Sequence, residues 1–329
     1  MKALVLGCGS IGARHTRNLV SLGVDVTVSD PRIERAEALA AEMDVAVAPA
    51  TDGVEADIAI VATPSIQHPA DARRCLERGM HTFVEKPIAA TYEGLEVAVG
   101  AADSSSRVTM VGCNLRFSAG YRALRDLLPT LGRIVSVVAD FGWYLPAWRP
   151  RDDYTASYSA RRELGGGVIL DAAIHELDYV IDLAGPVSSV AGMWTASGSL
   201  GIEVEDAADI QLRHRSGCIS QIHADYLRRT YTRTCTLVGA EGTLVWDLAR
   251  GSVTATYAVD SDGVGVSDLD LDRNTMYVDE MRHFLSAAAA GRNEVNTVGQ
   301  AAATTALALR VLELGSGVTE AASARMGRA

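Results

Sequence analysis

Two polar residues four positions apart, Asp171 and His175, are the first candidates for chemistry in this chain. On a helix, residues at i and i+4 lie on one face, close enough to hydrogen-bond. An aspartate can hold a histidine in one tautomer, and a histidine that titrates near neutrality can accept the proton of an alcohol. Three glycines at 165–167 would let the backbone approach a ligand. The pair predicts acid–base catalysis, although the first turn of an ordinary helix could carry the same residues.

Lys86, in the sequence Glu85-Lys86-Pro87, is the third candidate. An ammonium group aimed at an alcohol oxygen stabilises the negative charge that develops there, and it polarises a carbonyl in the reverse reaction. Either Lys86 or His175 could be the immediate proton acceptor, and the sequence leaves both open. Tyr179, one turn beyond His175, could add a hydroxyl, but the role of a buried aromatic is favoured.

A glycine-rich turn near the amino terminus predicts dinucleotide binding. Gly7, Gly9 and Gly12 stand at G-x-G-x-x-G spacing after an apolar run. The first glycine permits a tight turn, the second lets the backbone approach a pyrophosphate, and the third lets the next helix pack on the strand. Ser10 and Ile11 open that helix, whose unpaired N–H groups attract phosphates. We expect all five residues to contact the cofactor.

Asp30 ends the next β-branched segment, 18 residues beyond Gly12. A carboxylate at this place can accept hydrogen bonds from the ribose hydroxyls of NAD and repel the 2′-phosphate of NADP. The cofactor prediction is therefore NAD in preference to NADP, although Arg32 could turn to meet a phosphate. Asp30 could instead begin a helix, since Pro31 follows it.

The spacing of apolar residues predicts an α/β chain of two domains. Up to residue 117, short strands alternate with helices, which indicates a Rossmann domain with a doubly wound parallel sheet over residues 1–117. Beyond it the strands are longer and alternate apolar with polar residues, which is typical of a largely antiparallel, open-faced sheet. We expect an α+β domain for substrate binding and oligomerisation over residues 118–329. Helices at 277–290 and 300–314 are expected to pack on its sheet.

Loops after the predicted strands 56–62, 81–85 and 107–112 should face the ligands, because ligands bind at the carboxyl ends of strands in a doubly wound sheet. The predicted cofactor contacts in the first two loops are Ala62, Thr63, Pro64, His68, Glu85 and Lys86. Asn114 and Arg116 follow the third strand and are expected to position the substrate.

The connection between Phe141 and Gly165 is rich in aromatic, arginine and aspartate residues. Aromatic faces stack on sugar rings, while charged side chains bind hydroxyls, carboxylates or phosphates. The composition predicts a polar, ring-shaped substrate, such as a modified or nucleotide-linked sugar, although the aromatics could simply pin the loop. The predicted substrate contacts are Lys86, Asn114, Arg116, Trp148, Tyr154, Tyr158, Asp171 and His175.

These motifs together resemble the Gfo/Idh/MocA oxidoreductase family, which includes glucose-fructose oxidoreductase and inositol dehydrogenase. The resemblance covers nearly the whole chain and rests on the glycine turn, Ala62-Thr63-Pro64, Glu85-Lys86-Pro87, and the glycines that run into Asp171 and His175. It implies a Rossmann domain followed by an open-faced α/β domain. It also implies NAD(P)-dependent hydride transfer at a secondary alcohol or ketone of a sugar or cyclitol, and a cis peptide bond before Pro87.

Two other functions remain open at this point. The family also contains glycosidases that use tightly held NAD+ for transient oxidation. A sensor or scaffold that binds nucleotide without catalysis is the other alternative. The presence of Lys86, Asp171 and His175 together favours an enzyme, because a pure binding protein needs no proton relay.

Composition excludes several further classes. The net charge is −11 and the isoelectric point is near 5.1, which argues against nucleic-acid binding. Five scattered cysteines predict reduced thiols and no metal site. No apolar run is long enough for a membrane span or has the features of a signal peptide, so a cytoplasmic enzyme is expected. An open sheet face predicts a homo-oligomer, a dimer or a tetramer.

Overall fold

A computed structural model describes residues 1–49, 53–148, 150, 152–257, 264–266, 269 and 272–315. Six parallel strands form the first sheet. They are β1 (Lys2–Leu6), β2 (Asp25–Ser29), β3 (Ala46–Val47), β4 (Ile58–Val61), β5 (His81–Glu85) and β6 (Thr109–Gly112). Their order is β3-β2-β1-β4-β5-β6. Strands β1 to β3 are added toward one edge of the sheet and strands β4 to β6 toward the other edge. A crevice therefore opens between β1 and β4 at their carboxyl ends.

Helices cover this sheet, as the alternating pattern predicts. They are α1 (Ser10–Ser21), α2 (Ile33–Met43), α3 (His68–Glu77) and α4 (Tyr92–Asp103). Leu4 and Val5 are neighbours in β1, point to opposite faces and are both fully buried, since a parallel sheet has helices on both faces. The predicted doubly wound sheet is confirmed.

A second sheet of eight strands follows. They are β7 (Ile134–Gly142), β8 (Val187–Thr195), β9 (Ala207–His214), β10 (Ile219–Asp225), β11 (Thr232–Gly239), β12 (Thr243–Asp247), β13 (Ser252–Thr256) and β14 (Val264–Val266). Their order is β14-β13-β12-β11-β7-β10-β9-β8, and among these described strands only β7 and β10 pair in parallel. The largely antiparallel sheet of the prediction is confirmed.

One face of the second sheet carries helices and the other is open. The covering helices include α5 (Ala119–Leu127), α6 (Ile174–Ala184) and part of α8 (Val298–Gly315). In β9, Ile210 and Leu212 are buried while Asp209 and Gln211 are exposed. A single turn of π-helix, Ile169–Ala173, leads into α6. No helix among the described residues is long and apolar enough to cross a bilayer.

The last two helices correct one prediction. Helix α7 (Thr275–Ala290) packs on the first sheet, since Met281 and Phe284 belong to the same core cluster as Val5 and Phe83. The prediction that it packs on the second sheet is wrong, because periodicity identifies an apolar face but not its partner. Helix α8 touches both cores. The boundary between residues 117 and 118 stays a prediction, and residues 316–329 lie outside the described ones.

Candidate active site

A cavity of about 1460 Å³ lies where the carboxyl ends of β1, β4 and β5 face the second sheet. Its wall includes the glycine turn and Asp30 at one side and Lys86, Asp171 and His175 at another. Sites for a single drug-sized ligand measure roughly 300–1,000 Å³. The larger volume leaves room for a dinucleotide and a second reactant together.

The glycine turn has the geometry that a pyrophosphate requires. Gly7 has φ +92°, and a Cβ there would collide with the Ala62 carbonyl, while a Cβ on Gly12 would collide with the Gly7 carbonyl. Gly9 has open space where its Cβ would stand. No side chain caps the N-terminus of α1, which begins at Ser10. The exposed backbone amides therefore fit the phosphates of a dinucleotide.

Asp30 is 8% exposed and lines the cavity at the end of β2. One carboxylate oxygen accepts from the backbone N–H of Cys8 at 2.8 Å, and the other accepts from that of Arg32 at 2.8 Å. It therefore links the glycine turn to the turn at Arg32. Helix α2 begins at Ile33 after Arg32 as its N-cap residue, so Asp30 is not the N-cap that the sequence allowed as an alternative. Each oxygen keeps a lone pair for a ribose hydroxyl. Arg32 and Arg35 line the same end.

His68 holds the two loops that carry the Thr-Pro and Lys-Pro motifs. Its Nε2 lies 2.7 Å from the carbonyl oxygen of Thr63, and its Nδ1 lies 2.7 Å from that of Pro87. Burial lowers the pKa of His68, so at neutral pH the ring has one N–H and donates to one of these oxygens. The peptide bond between Lys86 and Pro87 is cis, as the resemblance implies.

Lys86 and Asp171 meet as a buried ion pair between the two sheets. The Lys86 ammonium donates to the Asp171 carboxylate at 2.8 Å and to its backbone carbonyl at 2.6 Å. The second carboxylate oxygen accepts from Ser159 at 2.6 Å and from Tyr226 at 3.1 Å. Burial by itself would raise the pKa of Asp171, but Lys86 and these hydroxyls hold it below 3.8. The Asp171 carboxylate thus accepts three hydrogen bonds, one from Lys86 and two from hydroxyl groups.

His175 lines the cavity near this pair, but the structure contradicts its predicted bond to Asp171. The carboxylate of Asp171 is occupied by other donors, and Nδ1 of His175 is buried with no hydrogen-bond partner among the described residues. Burial lowers the pKa of His175 well below 6.5, and the charges of Lys86 and Arg233 lower it further. The ring is neutral at physiological pH. Tyr179 is a fully buried aromatic, as favoured from the sequence.

The three glycines before Asp171 serve packing of the protein rather than contact with a ligand. A Cβ on Gly165 would collide with Ser65, and one on Gly167 would collide with the carboxyl of Glu205. Glu205 accepts from the backbone N–H of Ile169 at 3.1 Å, and burial raises its pKa to about 7. These contacts seat the π-helical turn that presents Asp171.

The predicted substrate residues divide into two groups. Asn114, Trp148 and Tyr158 line the cavity. Arg116 does not, because Asp178 and Asp182 bind its guanidinium at 2.6–2.9 Å beneath the surface. Tyr154 is also outside the lining, and its hydroxyl donates to the Leu200 carbonyl at 2.9 Å. The structure therefore places Arg116 and Tyr154 away from the cavity, since strand-end position and composition do not show where a side chain points.

Sequence reasoning missed several residues of the cavity wall. Arg233 lies over the ring of Phe141 at 4.5 Å and donates to Glu176, which is fully buried, at 2.7 Å. Tyr231 and Arg273 complete this side. Arg233 follows the basic cluster of residues 228–229, which was the one available signal. No group of three or more His, Cys, Asp or Glu among the described residues could hold a metal.

Comparison with known proteins agrees with this geometry. Residues 1–113 match an oxidoreductase family with an NAD-binding Rossmann fold, and residues 121–245 match the GFO/IDH/MocA C-terminal domain. The chain is 28% identical to 1,5-anhydro-D-fructose reductase of Ensifer adhaerens over 71% of this chain and 69% of the relative. It is 25% identical to scyllo-inositol 2-dehydrogenase (NAD(+)) of Bacillus subtilis strain 168, over 90% of this chain and 89% of the relative.

A solved structure titled levoglucosan dehydrogenase in complex with NADH and L-sorbose has the same fold. Its TM-score is 0.87 at 19% identity, and the match covers 96% of both chains. The two family matches together span most of this sequence. The chain belongs to the Gfo/Idh/MocA family of oxidoreductases.

Proposed function

We propose that this enzyme moves a hydride between a nicotinamide cofactor and a secondary alcohol or ketone carbon of a sugar or cyclitol. The observation that carries the proposal is the meeting of Lys86 and Asp171, from different parts of the chain, beside a neutral His175 in one cavity. That cavity also contains the glycine turn. Relatives named as an anhydrofructose reductase and an inositol dehydrogenase support the substrate class.

In this proposal, Lys86 stabilises charge on the substrate oxygen and His175 transfers the proton. An ammonium has three N–H donors, and Lys86 uses two on Asp171, which leaves the third for the substrate oxygen. That donor stabilises negative charge on the oxygen. The neutral His175 accepts the hydroxyl proton or returns it in the reverse direction. When bound, the nicotinamide supplies or accepts the hydride.

We propose NAD(H) as the preferred cofactor, held by Asp30, the glycine turn and the loops that His68 joins. Replacing Asp30 by Ala removes the ribose acceptor and the bonds to the Cys8 and Arg32 amides. We expect NADH binding to be about 10–100-fold weaker, since a hydrogen bond to a charged group contributes about 1.5–3 kcal/mol. Calorimetry with NADH and NADPH measures this. Unchanged NADH affinity would remove the assignment.

The reaction itself is tested with a panel of sugars, cyclitols and their keto forms, each with both cofactors, by following nicotinamide absorbance. Lys86→Met and His175→Gln should each lower kcat by about 10²–10⁴-fold while NADH still binds. The chain contains one other lysine, the exposed Lys2, so Lys2→Met is the matched control. Wild-type turnover in either site variant would refute the proposed roles.

Transient oxidation by a glycosidase remains the second candidate, because the same acid–base groups could serve it. It predicts cofactor that stays bound through gel filtration and glycoside cleavage without net NADH. Net NADH formation in proportion to ketone product contradicts it. A protein that binds nucleotide without turning over any substrate of the panel would be a sensor.

We also propose that the open face of the second sheet is a subunit interface. Three apolar residues there are strongly exposed in the single chain: Met193 at 63%, Ile219 at 52% and Val138 at 46%. Exposed apolar surface on a sheet is commonly covered by another subunit. Light scattering should show a dimer or tetramer, and Val138→Lys with Ile219→Lys should shift it toward monomer. A monomeric wild type at micromolar concentration would refute the interface.

A further inference from the structure

Arg273 lies in the wall of the active-site cavity, beside the rings of Trp143 and Tyr231. Two other cations that line the cavity are paired: Lys86 with Asp171, and Arg233 with Glu176. Arg273 is exposed and forms no ion pair with any described residue. Its positive charge is therefore available to a ligand, although the chain as a whole is acidic.

Aromatic rings hold this guanidinium in place. It lies 5.1 Å from the ring centroid of Trp143 and 4.5 Å from that of Tyr231, and these two rings meet edge to face at 5.3 Å. Cation–π contacts of this kind contribute about 0.5–1 kcal/mol each at exposed sites. They orient the guanidinium but use none of its five N–H donors for hydrogen bonds to an acceptor atom.

A continuous aromatic wall connects Arg273 to the reaction centre. Trp143 stacks on Trp148 with centroids 5.2 Å apart and an interplanar angle of 28°. Trp148 meets the ring of Tyr226 at 5.3 Å, and the Tyr226 hydroxyl donates to Asp171. A substrate whose reacting carbon lies at Lys86 and Asp171 can thus extend along the aromatic wall to Arg273.

We infer that the substrate is a sugar that carries an anionic group, phosphate or carboxylate, away from the reacting carbon, and that Arg273 binds this group. A planar guanidinium matches both anions through two parallel hydrogen bonds. This inference rests on the proposed function, because it assigns the distal part of the same substrate. A sugar phosphate, a nucleoside diphosphate sugar and a uronic acid are the three sources of such an anion.

Kinetics of Arg273→Gln test the subsite. With an anionic substrate, we expect KM to rise about 10–100-fold, the equivalent of one charge-assisted interaction, with kcat little changed. With a neutral sugar or cyclitol, KM should stay the same. Arg229→Gln is the matched control, since Arg229 lies over the ring of Tyr144 at 3.4 Å and is not part of the cavity lining. Equal KM values for wild type and Arg273→Gln with every anionic substrate would overturn the subsite.

Direct binding separates this inference from the proposed reaction. The NADH-saturated enzyme is titrated by calorimetry with glucose 1-phosphate, UDP-glucose and glucuronate, and with glucose as the neutral reference. At least one anionic probe should bind more tightly than glucose and lose about tenfold in affinity in Arg273→Gln. Turnover of neutral sugars alone, with no binding of the anions, would refute the anion subsite but would not contradict the proposed hydride transfer. Anion binding that depends on Arg273 without turnover of any sugar supports the subsite and refutes the reaction.

Discussion

Replacement of Asp171 by Asn is expected to destabilise the fold and to reduce turnover through the same interaction. The change keeps the shape of the side chain but removes the negative charge opposite Lys86. Ser159 and Tyr226 can still donate to the amide oxygen, and Lys86 still reaches the backbone carbonyl at 2.6 Å. The ammonium is nevertheless left in a site where only 14% of its side chain is exposed.

The size of the effect follows from this burial. Removing one partner of a buried ion pair costs about 3–5 kcal/mol, and the surviving carbonyl contact places Asp171→Asn near the lower value, at about 3 kcal/mol. Since Lys86 and two hydroxyls hold the pKa of Asp171 below 3.8, the carboxylate stabilises the fold above that pH. This contribution is lost as pH falls through the folded-state pKa. The difference between wild type and variant should therefore shrink below about pH 4.

A double-mutant cycle with Lys86→Met measures the interaction by chemical denaturation at pH 7 without cofactor. Because the two groups bind each other, the double variant should be more stable than the sum of the two single losses by about 1–3 kcal/mol. Strict additivity would show that the pair contributes no coupling energy. The expected stabilisation of the fold by the Lys86–Asp171 ion pair would then be wrong.

Three further results are expected. The acidic limb of log kcat against pH should lie below pH 6.5, because burial and nearby cations lower the pKa of His175. A limb above pH 6.5 in the wild type, or one that persists in His175→Gln, would contradict the role of His175 as the base. Glu280→Gln should change stability little at pH 4 and raise it at pH 8, since burial raises the pKa of this fully buried carboxyl well above 4.5 and the folded state resists its ionisation. Equal shifts at both pH values in thermal unfolding would contradict this. His223→Gln should lower stability at pH 6 and have no effect at pH 10, because hydrogen bonds from His223 to Asp225 and Asp209 raise its pKa to about 9; a loss that persists at pH 10 would exclude the charge as the cause.

The sequence predicts those features of the site that depend on local backbone geometry. Glycine spacing at 7–12 predicts the tight turn and close helix packing that the structure shows. The pattern of apolar residues predicts both sheets, because burial of one or of both faces of a strand appears directly in the pattern. That Lys86 and Asp171 lie in one site was predicted only from the combination of their two motifs, since the residues are 85 positions apart in the sequence.

Features that depend on long-range packing were not predictable in this way. Asp171 binds Lys86, Ser159 and Tyr226 instead of His175, because donors from three other segments of the chain contact its carboxylate. Arg116 follows a strand as a substrate residue would, but acidic side chains of α6 bind it. No local pattern shows which of several partners a charged side chain will find.

Single-turnover nicotinamide absorbance of the NADH complex, mixed with a keto-sugar accepted by the wild type, tests the central claim most directly. Lys86→Met and His175→Gln should bind NADH as the wild type does and oxidise it about 10²–10⁴-fold more slowly, while Lys2→Met reacts at the wild-type rate. Oxidation at the wild-type rate in both site variants would mean that the chemistry takes place without these side chains.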